Sequence, residues 1–133
     1  MKVLIVDDDP DVRTFLTNSV KMAGCEHTET AESGEDALGK AVLETYDLVT
    51  LDLKMPGVSG LDIISVIRGM MPWAVIAIIS GYPEDVTDVA REHSDLVLTK
   101  PVRLEKINSL VSLTQELIDK RTAIRALSDE DND

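Results

Sequence analysis

Apolar residues fall into short runs separated by longer stretches with helical periodicity. Runs of strand length occupy residues 2–6, 47–51, 73–79 and 96–99, with a weaker one at 26–30. Runs apolar on both sides suit strands buried on both faces, as in a parallel sheet covered by helices. Asp9 then Pro10 forms an N-cap and a first helical residue, and Phe15, Leu16, Ser19, Val20 and Ala23 follow at helical spacing up to a stop at Gly24. Ser33 caps a second helix carrying Ala37, Leu38, Ala41 and Val42, and Ser59-Gly60 opens a third with Leu61, Ile64 and Ile67 on one stripe. A shorter, more polar helix follows Pro83. The last begins near Arg103 and carries Leu104, Ile107, Leu110, Val111, Leu117, Ile118, Ile124 and Leu127. Strand and helix alternate five times, which predicts an α/β sandwich with right-handed crossovers and a mostly parallel sheet.

Length and charge narrow the function. The 133 residues are about one domain, and 44% hydrophobic against 29% charged residues is the balance of a folded globular chain. Thirteen Lys and Arg against 25 Asp and Glu leave a net charge of −12, which disfavours binding to nucleic acid and to anionic membranes. The longest stretch without charge, residues 69–83, is too short to cross a bilayer, and the start lacks the apolar core of a secretory signal, so a cytoplasmic location is expected. Cys25 alone supports neither an intramolecular disulfide nor a thiolate metal cluster and reads as a small buried hydrophobe.

In open α/β sheets functional groups gather beyond the carboxyl ends of the strands. The first strand ends in Asp7-Asp8-Asp9, the third in Asp52, the fourth in Ser80 and the fifth in Thr99-Lys100-Pro101. Asp9 reads as a helix cap. Asp7, Asp8 and Asp52 converging on one crevice would raise one another's pKa unless a cation intervenes, and a hard divalent ion such as Mg²⁺ takes carboxylate oxygens together with phosphate oxygens. Lys100 adds a compact positive charge and Ser80 a hydroxyl donor, so the set supplies the charge neutralisation and positioning that phosphoryl transfer requires.

The ordered set resembles the receiver domains of two-component response regulators: Val6-Asp7-Asp8-Asp9-Pro10, Leu51-Asp52-Leu53-Lys54-Met55-Pro56-Gly57 with Ser59-Gly60, Ser80, and Lys100-Pro101, over roughly residues 2–119. The resemblance implies a flavodoxin-like (βα)5 sandwich with strand order 2-1-3-4-5 and helices on both faces. It implies that Asp52 accepts a phosphoryl group from a histidine kinase or histidine phosphotransfer protein. Asp8, Asp52 and the Lys54 carbonyl would ligate Mg²⁺, with Asp7 acting through water. Lys100 would pair with the phosphate, Ser80 would hydrogen-bond to it, and Pro101 would follow a cis peptide bond. The chain would catalyse only its own phosphorylation and dephosphorylation and pass the signal to a downstream protein target or output domain.

Some positions depart from the family pattern. Val97 stands where receivers usually carry an aromatic residue, and Val102 where phenylalanine is common; Val97 is read as a packing residue, with Tyr82 the nearest aromatic that could respond instead. The resemblance implies that Lys54 and Tyr82 occupy positions whose side chains overlook the phosphoryl group. Trp73 is expected to pack near the opposite end of the sheet, and His27 and His93 to be structural or exposed. The predicted receiver unit ends near residue 119, followed by a helical extension over 120–127 and an acidic tail over 128–133. That extension reads as a homodimer seam, a partner-binding helix, a linker or a solvated end.

Two other readings compete with the switch. Asp7 with an acid two residues later also suggests a small phosphohydrolase resembling the haloacid dehalogenase family, although the further acidic pair and cap domain such enzymes need are missing. A pseudo-receiver that binds partners without phosphorylation is the other, against which the intact acidic, hydroxyl and lysine set argues.

Overall fold

The computed structural model describes residues 1–129. Its elements run β1 (Lys2–Val6), α1 (Pro10–Met22), β2 (His27–Ala31), α2 (Gly34–Leu43), β3 (Leu48–Leu51), α3 (Gly60–Met70), β4 (Val75–Ser80), a 3-10 turn (Pro83–Asp85), α4 (Asp88–His93), β5 (Leu96–Thr99) and α5 (Leu104–Arg125). The strands form one parallel sheet in the order β2-β1-β3-β4-β5. The predicted alternation and strand order are both present, and element ends differ from the sequence reading by one or two residues except at α4, which begins at Asp88 after a separate 3-10 turn over Pro83–Asp85.

Alternation along the strands divides the core between two faces. Leu4, Val6, Val49, Leu51, Ile76 and Ile78 meet Ala37 and Ala41 of α2, Ile63, Ile64 and Ile67 of α3, and Ala90 of α4. Val3, Ile5, Leu48, Ala77 and Ile79 meet Leu16 and Val20 of α1 and Ile107, Leu110 and Val111 of α5. Cys25 is buried with this second group, as expected.

The helix stripes differ from the predicted ones at their margins. Phe15, Val42 and Leu61 face outward, while Ile63 packs inside. Successive helical residues are 100° apart, so an apolar pair such as Phe15-Leu16 leaves open which member meets the sheet. Trp73 lies at the opposite end of the sheet from the site, but it is 43% exposed rather than packed. Its carbonyl accepts a hydrogen bond from Arg121 of α5 at 2.8 Å. Exposed Leu113, Leu117, Ile124 and Leu127 lie along α5 and just past its end. The acidic tail lies, from residue 130 onward, outside the described residues.

Caps and one arginine fix the helices. Asp9 Oδ1 accepts from the Asp11 amide, Ser33 Oγ from the Asp36 amide and Thr87 Oγ1 from the Ala90 amide. Arg68 of α3 donates to the carbonyls of His93, Pro72 and Ala74 and to the Asp95 carboxylate, tying α3 to the ends of α4, β4 and β5. The start of α3 is set by backbone approach, because a Cβ on Gly60 would lie 2.0 Å from the Asp52 carbonyl oxygen.

Gly60→Ala therefore destabilises the fold by about 1–3 kcal/mol through overpacking against Asp52. Gly69→Ala, where a Cβ meets nothing within 4 Å, raises stability by about 0.5–1 kcal/mol. Equilibrium urea unfolding of both variants measures the contrast.

Candidate functional site

Parallel pairing extends one residue past β1, β3 and β5, which brings their polar ends to one edge with Ser80, the last residue of β4. The Asp7 amide donates to Ala31 O at 3.1 Å, the Asp52 amide to Val6 O at 3.0 Å and the Lys100 amide to Ser80 O at 2.8 Å. Val6 pairs with Leu51 and Ser80 with Thr99, so Asp7, Asp52, Ser80 and Lys100 share the carboxyl edge. The Lys100–Pro101 bond is cis, as the resemblance implied.

Asp7 and Asp52 are buried, Asp8 is exposed, and one carboxylate oxygen from each of the three lies within 4.8 Å of the others. Lys100 Nζ lies 2.9 Å from Asp7 Oδ2 and 3.3 Å from Asp52 Oδ2. Lys100 is the one partner of Asp7 Oδ2 among the described residues, which leaves that buried carboxylate oxygen with acceptor capacity to spare. Asp7 is otherwise held by its neighbours: Oδ1 accepts from the Asp9 amide at 2.9 Å, and its carbonyl accepts from Arg13 Nη1 at 2.8 Å. Asp52 Oδ1 accepts from the Lys54 amide at 3.3 Å.

Burial pushes the Asp52 carboxyl up to about 6, and the charge on Asp7 adds to the rise, while Lys100 opposes it. Burial works against the charge of Lys100 too, but contact with Asp7 and Asp52 outweighs it and holds the ammonium above its ordinary range. The site therefore carries more negative charge than its single lysine neutralises. An all-oxygen donor set with that excess, and a buried carboxylate oxygen still able to accept, fits a hard divalent cation.

Ser80 sits at the predicted edge with its hydroxyl turned into a local loop, donating to Tyr82 O at 2.9 Å and accepting from the Tyr82 amide at 3.3 Å. Tyr82 is exposed, and Val97 packs, half-buried, against the core as the sequence suggested. Asp9, which the phosphohydrolase reading needs as its second acid, is occupied as the α1 cap. Sequence reasoning missed Arg13 and Asp85. Asp85 is 12% exposed and lies 3.3 Å from Lys54 Nζ, and no spacing rule links these two loops.

Comparison with known proteins agrees with this geometry. The chain is 31% identical over 109 residues to the chemotaxis protein CheY of Listeria monocytogenes, covering 80% of this chain and 92% of that one. It is 35% identical over 124 residues to a protein-glutamate methylesterase/protein-glutamine glutaminase of Archaeoglobus fulgidus, covering 90% of this chain but only 35% of that protein. It spans about a quarter of the response regulator PilR of Pseudomonas aeruginosa. Among solved structures, the response regulator TrrA of Thermotoga maritima in complex with Mg²⁺-BeF superposes with a TM-score of 0.77 at 34% identity, over 86% of this chain and 99% of that one. The family model described as the response regulator receiver domain matches residues 3–112, so the chain belongs to the response regulator receiver domain family.

Proposed function

We propose that the chain is a phosphorylation-controlled signalling switch whose phosphoacceptor is Asp52. The observation that carries this reading is the buried Asp52 carboxylate, set between Asp7 and Lys100 on an edge it shares with Ser80. With a folded-state value of about 6, Asp52 is ionised at neutral pH and able to act as a nucleophile. One of its oxygens bonds to phosphorus as the bond from phosphorus to the donor's imidazole nitrogen, or to the leaving oxygen of a small donor, breaks. Lys100 stands where it pairs with the transferred oxygens. Ser80 reaches them after its hydroxyl leaves Tyr82.

Asp8, Asp52 and the Lys54 carbonyl would hold Mg²⁺, with Asp7 acting through water. When bound, the ion would offset the excess negative charge and stabilise charge on the phosphoryl oxygens. A groove of about 430 Å³ beside Lys100, walled by Val12, Phe15, Pro101 and Val102, suits docking of a histidine kinase or histidine phosphotransfer protein. The partly exposed Phe15 supplies an apolar anchor there.

The chemistry is confined to the chain's own modification. The signal passes by population shift to a downstream target or an output domain. The receiver unit is taken to end near residue 119, with 120–127 extending the last helix. No helix among the described residues is long and apolar enough to cross a membrane, and a cytoplasmic setting fits a kinase-driven switch.

Incubation with Mg²⁺ and acetyl phosphate is expected to add the mass of one phosphoryl group, and Asp52→Asn or removal of Mg²⁺ abolishes it. Intact mass spectrometry reads this directly. No adduct on folded protein would favour the pseudo-receiver. Donor hydrolysis that survives Asp52→Asn but not Asp7→Asn would favour the phosphohydrolase.

Stability should respond to pH in a defined sense. Because the Asp52 value is raised on folding, the folded state binds the extra proton between about 4 and 6, and stability falls as pH rises through that window. In EDTA, Asp52→Asn is therefore more stable than wild type at pH 8, by on the order of 2 kcal/mol, and the gap closes toward pH 4. Thermal unfolding across that range tests the sign, and Mg²⁺ at pH 8 narrows the gap by stabilising the wild type.

A further inference from the structure

The loops that follow β3 and β4 are joined by one ion pair, Lys54 Nζ to Asp85 Oδ1 at 3.3 Å. A pair between two exposed side chains contributes little. Here the lysine is 78% exposed but the carboxylate only 12%, and Lys54 is the only ion-pair partner of Asp85 among the described residues. Breaking the pair would leave a shielded charge uncompensated, which gives this contact more weight than its exposed half suggests.

Both ends of the pair run into the site. The Lys54 amide donates to Asp52 Oδ1 at 3.3 Å, so the lysine leaves the backbone beside the phosphoacceptor. The Asp85 amide donates to Tyr82 O at 3.1 Å, the same carbonyl that accepts the Ser80 hydroxyl at 2.9 Å. A continuous path therefore runs from the Asp52 carboxylate through Lys54, Asp85 and the Tyr82 carbonyl to the Ser80 hydroxyl. On β5, Val97 offers neither a ring nor a hydroxyl to register movement of Ser80.

We propose that Asp85 is a positioning residue that holds the Lys54 ammonium off the phosphoacceptor and, through the 3-10 turn, keeps the Ser80 hydroxyl on Tyr82. The inference rests on the phosphoacceptor reading of Asp52. A phosphoryl group carries close to two negative charges at neutral pH. It competes with the single charge of Asp85 for Lys54, and loss of the pair frees the turn and the hydroxyl together. The coupling is a two-state element biased at one end by the phosphoryl group and read at the other by Ser80.

The test compares wild type with Asp85→Asn, Lys54→Met, the double variant and the conservative Asp85→Glu. Amide resonances of residues 80–86 are followed at rest and with Mg²⁺ and beryllofluoride, and the rate of phosphorylation by acetyl phosphate is followed by intact mass. Either single variant should move the resting amides toward their wild-type positions with beryllofluoride. The double variant should move them no further, and Asp85→Glu should stay near wild type. Asp85→Asn should phosphorylate about threefold faster, the size of a partly shielded ion pair, and the gain should vanish in the double variant. Should Asp85→Asn fail to fold, Lys54→Met probes the same pair from its exposed side. Phosphorylation of wild type with resting amides unmoved in the single variants, or with additive effects in the double, overturns this inference alone. Absence of any adduct on wild type overturns the phosphoacceptor reading and the competition step with it.

Discussion

Two buried carboxylates lean on one ammonium. Asp7 and Asp52 both contact Lys100, and neither could be placed so deep without it, yet one lysine does not balance the two of them plus exposed Asp8. The imbalance is built by the sheet, because β1 and β3 end level with each other, β4 and β5 end level two residues further along, and backbone pairing continues to Asp7, Asp52 and Lys100. A shift of one residue in the register of β3 would turn Asp52 toward the opposite face and leave Lys100 with one partner. The arrangement is thus held by packing of both sheet faces, and it stores a preference for added positive charge at the edge.

Much of this was legible in the sequence for a simple reason. Short strands apolar on both faces can be read as runs, and in a parallel sheet whatever follows each run comes to the same edge, so the sequence alone groups Asp7, Asp8, Asp52, Ser80 and Lys100. Local caps were equally visible, since Asp9 and Ser33 accept from amides two and three positions on, and Ser59 donates to the Asp62 carboxylate three positions on. The outward turn of Phe15, Val42 and Leu61 was not, because neighbouring apolar residues on a helix differ by only 100° and packing against the sheet decides between them. Nor were Arg68, which reaches His93 and Asp95, or Asp85, which reaches Lys54 from 31 residues away. Such contacts depend on where loops meet in space and leave no periodicity behind.

Membership in the receiver family places the chain beside relatives of very different length. It spans nearly all of a CheY and about a third of a methylesterase. The part this chain has in common with them is the receiver unit matched over residues 3–112. In this chain the turn after β4 leads to a short α4, with Tyr82 exposed and Val97 of β5 packed against the core.

Trp73 is the sole tryptophan of the chain. It stands half in water at the end of the sheet away from the acidic edge, and its carbonyl is held by Arg121 near the end of α5. The indole is therefore an intrinsic fluorophore for the seating of the last helix on the sheet, and its emission colour follows that helix rather than the chemistry at the far edge.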